Sequence, residues 1–579
     1  MKKPHVIKAL SVFLITAMLA GTLAGCGSHI LTPAEPAGED SDSGTFTQSE
    51  PSAEVSEPSE SDVIYEPEAL YEEKAAEACN DSGALYEDAY CTEIIDPYGG
   101  EEGWYPEPDP FNTEEYDYTP ENRFLSVKAN PLSTFAADVD TASYANVRRF
   151  LMNGQTVPAD AVRLEEMINY FEYDYPEPEG HDPFSVTAEI APCPWNSETQ
   201  LLMIGLQAKK LDADRMPPSN LVFLIDTSGS MDEPNKLPLV QRAFLTLTET
   251  LSENDTVSIV TYASSEEVKL DGASGADKAV IMGTIEDLMA YGGTYGEGGI
   301  QMAYELAERH FIKGGNNRII LATDGDLNIG MSSEGELTRL IKEKAVGGVA
   351  LTALGFGYGN YKDNKLEALA DNGNGNYAYI DSVAEARKVL VEEAGGTLFT
   401  VAKDVKLQVD FNPAWIKGYR LIGYENRLMA AEDFADDTKD GGEIGAGHRV
   451  TALYEIVPAD STFEIAETGS KYAQEASGSE MSGASSASEE WLTLNIRYKE
   501  PDGETSKLQS YPVGSERVRD SLSANMSWAA GVAQAGMLLK GSEYAGTSSY
   551  SEIYSRLAAL PGVTQDPSRV EFLYLLNQM

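Results

Sequence analysis

The stretch LVFLIDTSGS, residues 221–230, decides how the rest of the chain is read. It opens on an uninterrupted apolar run, the mark of a strand buried on both faces and so of a parallel sheet. It closes on Asp226-Thr227-Ser228-Gly229-Ser230, which is small and polar. A buried strand ending this way sets one carboxylate and two hydroxyls on a single turn. That turn lies at the carboxyl edge of the sheet, where open α/β sheets bind their ligands.

Reading outward toward the C-terminus, the same alternation repeats. A helix with Leu237, Val240, Phe244 and Leu247 on one face leads to TVSIVTYA (256–263) and a helix around 277–290. Next come a helix carrying Ile300, Ala303, Tyr304, Ala307 and Phe311, the strand RIILATD (318–324), and a helix with Leu337, Leu340 and Ile341. VALTALGFG (349–357), YAYID (377–381) and a helix at 383–394 complete the series. Apolar strands alternating with amphipathic helices predict an α/β domain over 219–397, a doubly wound, mostly parallel sheet covered on both faces.

The flanks read differently. Helical spacing appears at Tyr144, Val147 and Leu151 and at Leu164, Met167, Ile168 and Phe171, followed by the strands FSVTAEIA (184–191) and LLMIGLQA (201–208). Beyond residue 400 the period drops to two, with Val405, Leu407, Val409 and Phe411, then Leu492, Leu494, Ile496 and Tyr498, which predicts half-buried antiparallel strands. The C-terminus is helical again, at Leu522, Met526, Ala529 and Ala533 and at Phe572, Leu573, Leu575 and Leu576. The strands of 184–208 are expected to pair with those of 401–500, so that the α/β domain is inserted into a β-sandwich. The expected divisions are 1–25, 26–120, 121–218, 219–397 and 398–579, with a low-complexity loop at 467–490.

Charge separates the head from what precedes it. The 579 residues carry 94 acidic and 42 basic side chains, a net charge of −52. Residues 27–120 hold 26 acids and the single base Lys74, while 121–579 keep −30. The first of these segments is also rich in Pro, Ser and Tyr and has too little aliphatic surface to offset its ordering entropy, so it reads as a disordered tether. A chain this acidic is repelled by nucleic-acid phosphates and anionic headgroups, which excludes charge-driven binding to either.

The N-terminus supplies an anchor for that tether. Lys2, Lys3 and Lys8 precede the apolar run ALSVFLITAMLAGT, too short for a mature membrane span, and Leu23-Ala24-Gly25-Cys26 follows. This resembles the lipobox of bacterial lipoproteins. The resemblance implies cleavage before Cys26, a diacylglycerol thioether on Cys26, and a chain held on the outer face of a cell membrane by that lipid anchor alone. Cys79 and Cys91 are close enough in sequence to form a small loop in an oxidising compartment, with Cys193 left over.

Two more segments point to the edge marked by Asp226. Thr294 follows Gly292-Gly293 just ahead of a helix, and Asp324 ends the strand RIILATD. Two carboxylates and three hydroxyls, without sulfur or imidazole, form a hard-oxygen set suited to Mg²⁺, with Mn²⁺ or Ca²⁺ as alternatives. These residues resemble the metal-ion-dependent adhesion site of the von Willebrand factor type A domain family. That family's five site positions fall here on Asp226, Ser228, Ser230, Thr294 and Asp324. The wider chain is similar to a bacterial group of such proteins, often lipoproteins, through NPLSTFAADVDTASYANVRRFL (130–151), VRLEEMINYFEYDYP (162–176), APCPWN (191–196), ILATDGDLNIG (320–330), GNGNYAYID (373–381) and AKDVKLQVDFNP (402–413). The resemblance implies an ion whose open position is filled by an Asp or Glu carboxylate of a protein or envelope ligand.

Other motifs fall short. DGDLNIGMSSEGE (324–336) begins like an EF-hand loop but has Ile329 where the turn needs Gly and Gly335 where the bidentate Glu belongs. Gly355-Phe356-Gly357-Tyr358-Gly359-Asn360 lacks the third glycine of a dinucleotide loop and reads as a turn. No Gly-Lys pair exists, which removes a Walker A loop. His181, His310 and His448 show no ligand or triad spacing, and Asp232, Glu297 and Asp326 read as solvated loop acids near the site.

Three functions compete. The first is a surface-anchored, metal-dependent binding module. The second is an envelope assembly scaffold or chaperone partner whose metal is structural. The third is a metal-dependent phosphatase using Asp226. Phosphatases of the haloacid dehalogenase type need a second Asp two residues on, where this chain has Ser228, and no nucleophile–base pair is visible, so no catalytic residue is assigned.

Overall fold

The computed structural model describes residues 113–579 except 138–139, 181, 212–215, 326–333, 394–398, 440, 467–488, 502 and 504. Cys26, residues 27–112 of the acidic segment, Cys79 and Cys91, Asp326, His181 and nearly all of the 467–490 loop lie outside the described residues. Residues 113–120, expected to be the end of the tether, instead dock on the folded region, where the Thr113 N–H donates to Gly359 O at 2.6 Å and the Glu114 carboxylate pairs with Arg149 at 2.9 Å.

The N-terminal flank contributes β1 (Leu125–Ser126), β2 (Leu132–Ala136), α1 (Ala142–Met152), α2 (Leu164–Asn169), β3 (Phe184–Pro192) and β4 (Gln200–Ala208). The central series is β5 (Ser219–Asp226), α3 (Leu237–Thr250), β6 (Thr256–Tyr262), β7 (Glu266–Ser274), α4 (Lys278–Glu286), α5 (Gly296–Arg309), β8 (Asn316–Thr323), α6 (Glu334–Val346), β9 (Ala350–Phe356), α7 (Asp363–Asn372), β10 (Tyr377–Ile380) and α8 (Val383–Arg387). Then follow β11 (Thr400–Phe411), β12 (Ile416–Ile422), β13 (Leu428–Met429), β14 (Ile444–Gly445), β15 (Arg449–Pro458), β16 (Glu490–Lys499) and β17 (Lys507–Gly514). The chain ends in α9 (Ala524–Lys540), α10 (Tyr550–Ala558) and α11 (Pro567–Leu576).

The central sheet has the order β10-β9-β8-β5-β6-β7, parallel except for the β6–β7 pair. Its doubly wound character is visible within β5. Val222 and Leu224 face a core shared with Ile300, Tyr304 and Ile341, whereas Leu221, Phe223 and Ile225 face one shared with Leu237, Val240 and Phe244. Because side chains alternate across a strand, an apolar strand serves two helical layers at once. The antiparallel edge strand β7 was not expected. Its Glu266, Glu267 and Val268 are exposed and its remaining residues at most half-buried, so it carries no buried-strand signature. Helix α7 was also unforeseen, since only Leu366, Leu369 and Ala370 give it an apolar face.

The expected pairing across the insertion is present: β4 runs antiparallel to β15 over eight residue pairs, from Arg449–Gln207 to Ile456–Gln200. One sheet has the order β1-β12-β15-β4-β3 and the facing one β13-β2-β11-β16-β17. Leu202, Ile204, Val409, Phe411 and Tyr454 meet between them. Residues 121–218 and 398–579 thus share both sheets of one sandwich. The opposite face of β4, with Leu201 and Met203, packs on a helical layer built from α1, α2 and the three C-terminal helices around Tyr144, Phe171, Trp528 and Phe572. Burial on both faces is why LLMIGLQA shows no polar alternation. Cys193, a buried free thiol, sits in that layer and burial pushes it up to about 12.

Ion pairs tie the helices around the α/β region together. Arg148 of α1 reaches Glu385 of α8 (2.8 Å) and Glu571 of α11 (3.1 Å). Arg163 contacts Asp363 of α7 at 2.6 Å, and Arg427 contacts Asp371 and Glu367 of the same helix at 2.8 and 3.3 Å.

Candidate functional site

The turn after β5 is built by the residues that line it. Asp226 is fully buried, and its Oδ1 accepts the Ser228 N–H at 2.9 Å. The Thr323 hydroxyl donates to Asp226 Oδ2 at 3.0 Å and accepts the Gly325 N–H at 3.1 Å, tying the end of β5 to the end of β8. The Ser228 and Ser230 hydroxyl oxygens lie 3.1 Å apart.

The third segment is docked through the backbone. Tyr291 N–H donates to Thr227 O (2.8 Å), Gly229 N–H to Gly292 O (3.0 Å) and Tyr295 N–H to Ala263 O (2.7 Å), so the loop carrying Thr294 is pinned on both sides of that residue. The loop follows its sequence closely. Gly292 has φ +76, and a Cβ there would lie 2.5 Å from the Ser264 hydroxyl oxygen, which accepts the Gly293 N–H at 2.9 Å. Only glycine fits such a turn without strain.

Asp324 is fully buried at the end of β8. Its Oδ2 lies 3.2 Å from Lys236 Nζ and 3.4 Å from Asn360 Nδ2. Burial, and secondarily the Asp324 charge nearby, pushes Asp226 up to about 6. Two carboxylates held this far from water repel each other, and a cation between them would relieve both costs. Among the described residues no group of three or more His, Cys, Asp or Glu is placed to hold a metal. A cation here would therefore rely on hydroxyl oxygens beside the two carboxylates, which is the chemistry of a hard ion such as Mg²⁺.

The five residues singled out from the sequence thus sit on three neighbouring segments at one sheet edge. Asp232 is exposed and Glu297 half-buried in the first turn of α5. His310 pairs with Asp271 at 2.6 Å on the surface. Lys236, Thr323 and Asn360 were not anticipated. The available signals were weak: Lys236 heads an apolar helix, Thr323 directly precedes Asp324, and Asn360 closes the glycine-rich turn.

Comparison with known proteins agrees with the fold. Residues 220–392 match the von Willebrand factor type A domain family, residues 110–203 the family described as von Willebrand factor, and residues 396–579 the family described as uncharacterized protein YfbK, C-terminal. Type A domains as a class mediate protein–protein interaction and are typically non-enzymatic. Inter-alpha-trypsin inhibitor heavy chain H4 of Homo sapiens is 30% identical over 165 residues, 27% of this chain and 18% of that one. The solved von Willebrand factor type A structure from Catenulispora acidiphila is similar over 78% of this chain and 93% of its own, at 14% identity and a TM-score of 0.36. The uncharacterized protein YfbK of Escherichia coli (strain K12) is 41% identical over 472 residues, 80% of this chain and 81% of that protein. With that likeness running through the α/β region and both flanks, the chain belongs to the YfbK family of von Willebrand factor type A domain proteins.

Proposed function

We propose that the protein is a binding module whose type A domain holds a divalent cation, Mg²⁺ by preference, and uses it to engage an acidic side chain of a protein or envelope ligand. The observation that carries this reading is the pair of buried carboxylates, Asp226 and Asp324, at adjacent strand ends beside the Ser228 and Ser230 hydroxyls. Asp226, Ser228, Ser230, Thr294 and Asp324 would hold the ion, which would supply an electrophilic site for a partner carboxylate. Exposed aromatic side chains support a protein contact: Tyr291 and Tyr295 flank Thr294, and Tyr358 precedes Asn360. Tyrosine is enriched at the energetically dominant positions of interfaces.

The lipobox at Leu23–Cys26 supports placement on the outer face of a membrane through a lipidated Cys26. Among the described residues no helix is long and apolar enough to cross a membrane.

Calorimetric titration of the purified protein with Mg²⁺ tests the site. Binding heat is expected for the native chain and its loss in Asp226→Ala and Asp324→Ala; equal heats in all three would sink the metal reading. Crosslinking in cells with and without chelator tests the ligand, because a scaffold role predicts the same partners under both conditions.

A further inference from the structure

The cation site contains a cation of its own. Lys236, at the head of α3, is 3% exposed. Its Nζ donates to Ser230 O at 2.9 Å and to Asp324 Oδ2 at 3.2 Å. The side chain reaches that position along a prepared track. Gly357, just past β9, has φ +75, and a Cβ there would lie 2.5 Å from Lys236 Cε and 2.7 Å from its Cγ. The backbone is also fixed, by the Lys236 N–H donating to Glu233 O and by Leu239 and Val240 N–H groups donating to Lys236 O, each at 2.9 Å. A buried ammonium held between a turn carbonyl and a site carboxylate is not a solvated surface lysine.

We propose that Lys236 sets the charge of the site and thereby the kind of ligand it accepts. This rests on the reading that Asp226 and Asp324 hold a divalent ion. Two carboxylates alone would neutralise such an ion and leave nothing to attract an anion. With Lys236 against Asp324, the two acids and the ammonium sum to a single negative charge, so the bound ion leaves one positive charge in excess. The effect is local, because Coulomb attraction is strong in a buried site and screened outside it. In a chain carrying −52, that excess gives an incoming carboxylate a favourable place to land. The arrangement lowers affinity for the ion in exchange for affinity toward the acidic ligand, so Lys236 is a specificity-determining residue that need not touch the ion.

The test uses the full chain, with Mg²⁺ and Tb³⁺ as probes, in the native protein, Lys236→Met and Lys236→Gln. The glutamine variant keeps a donor for Ser230 O if the methionine variant folds poorly. Neutralising position 236 is expected to tighten Mg²⁺ binding by on the order of ten-fold and Tb³⁺ binding by more, because the electrostatic gain scales with ion charge. Calorimetry reads the first and tyrosine-sensitised terbium luminescence the second. Unchanged or weaker Mg²⁺ binding in both variants, or equal gains for the two ions, would overturn the proposal and leave the metal site standing. A native chain that binds neither ion would remove both readings.

Discussion

Asp226 has both carboxylate oxygens engaged by the turn that presents it, one by the Ser228 N–H and one by the Thr323 hydroxyl. In cation-free protein it is therefore a well-oriented but costly charge, buried close to a second one. Asp226→Asn keeps the size and one acceptor while deleting the charge. The apo protein with this substitution is expected to melt at or above the temperature of the native chain in EDTA, and to gain nothing on addition of Mg²⁺. Differential scanning fluorimetry checks both parts. A large drop in apo stability would mean that the carboxylate is held for packing rather than for an ion. The acids and hydroxyls were legible in the sequence because their chemistry stands out at the end of an apolar strand. Lys236 was not, because a lysine at the head of an apolar helix is indistinguishable from an ordinary surface cation until Gly357 and Asp324 are brought beside it.

Among the elements, the 291–295 loop is where sequence and site are most tightly coupled. Gly292→Ala would force a side chain onto a left-handed backbone and into the Ser264 hydroxyl. A cost of about 1–3 kcal/mol is expected for such strain. It should fall on the loop, so that Mg²⁺ affinity drops severalfold while the circular dichroism spectrum stays native. An unfolded variant, or one binding Mg²⁺ normally, would show that this loop does not position Thr294. Elements were legible where burial imposed a pattern. The all-apolar β5 and β4 and the alternating β11 and β16 stood out, while β12 and β15 were not singled out from the sequence. Strand β7 escaped because an exposed edge places few demands on its side chains.

On the scale of the whole molecule, α7 is the joint between the α/β region and the rest. Glu367 on that helix accepts from Asn426 at 2.8 Å and lies against Arg427. Burial first, then the nearby Glu166 and Asp363 charges, push its carboxyl up to about 7 against the pull of Arg163 and Arg427. A raised folded-state value means that the fold favours the protonated acid. This contribution is fully present below the unfolded value near 4.5 and is lost as pH rises through about 7. Between pH 5.5 and pH 8 the native chain should lose stability at this joint, and Glu367→Gln should reduce that loss. Urea midpoints at the two pH values decide it; parallel shifts in both proteins would rule out Glu367 as the cause.

The β4–β15 pairing also fixes an order of events during synthesis. Residues 219–392 are contiguous and contain every strand of the central sheet, so that region is complete as soon as its own chain has emerged. Strand β4 emerges earlier but has no neighbour on its β15 side until Arg449–Pro458 follows, some 240 residues later in the register. Until then LLMIGLQA, destined for burial on both faces, is an apolar strand with an open edge, the kind of segment that other chains add to. The nascent β3–β4 hairpin is therefore the place where a ribosome-bound chain most needs protection. An arrest of translation after residues 219–392 have emerged but before Arg449–Pro458 has should leave a finished α/β domain attached to an aggregation-prone stub.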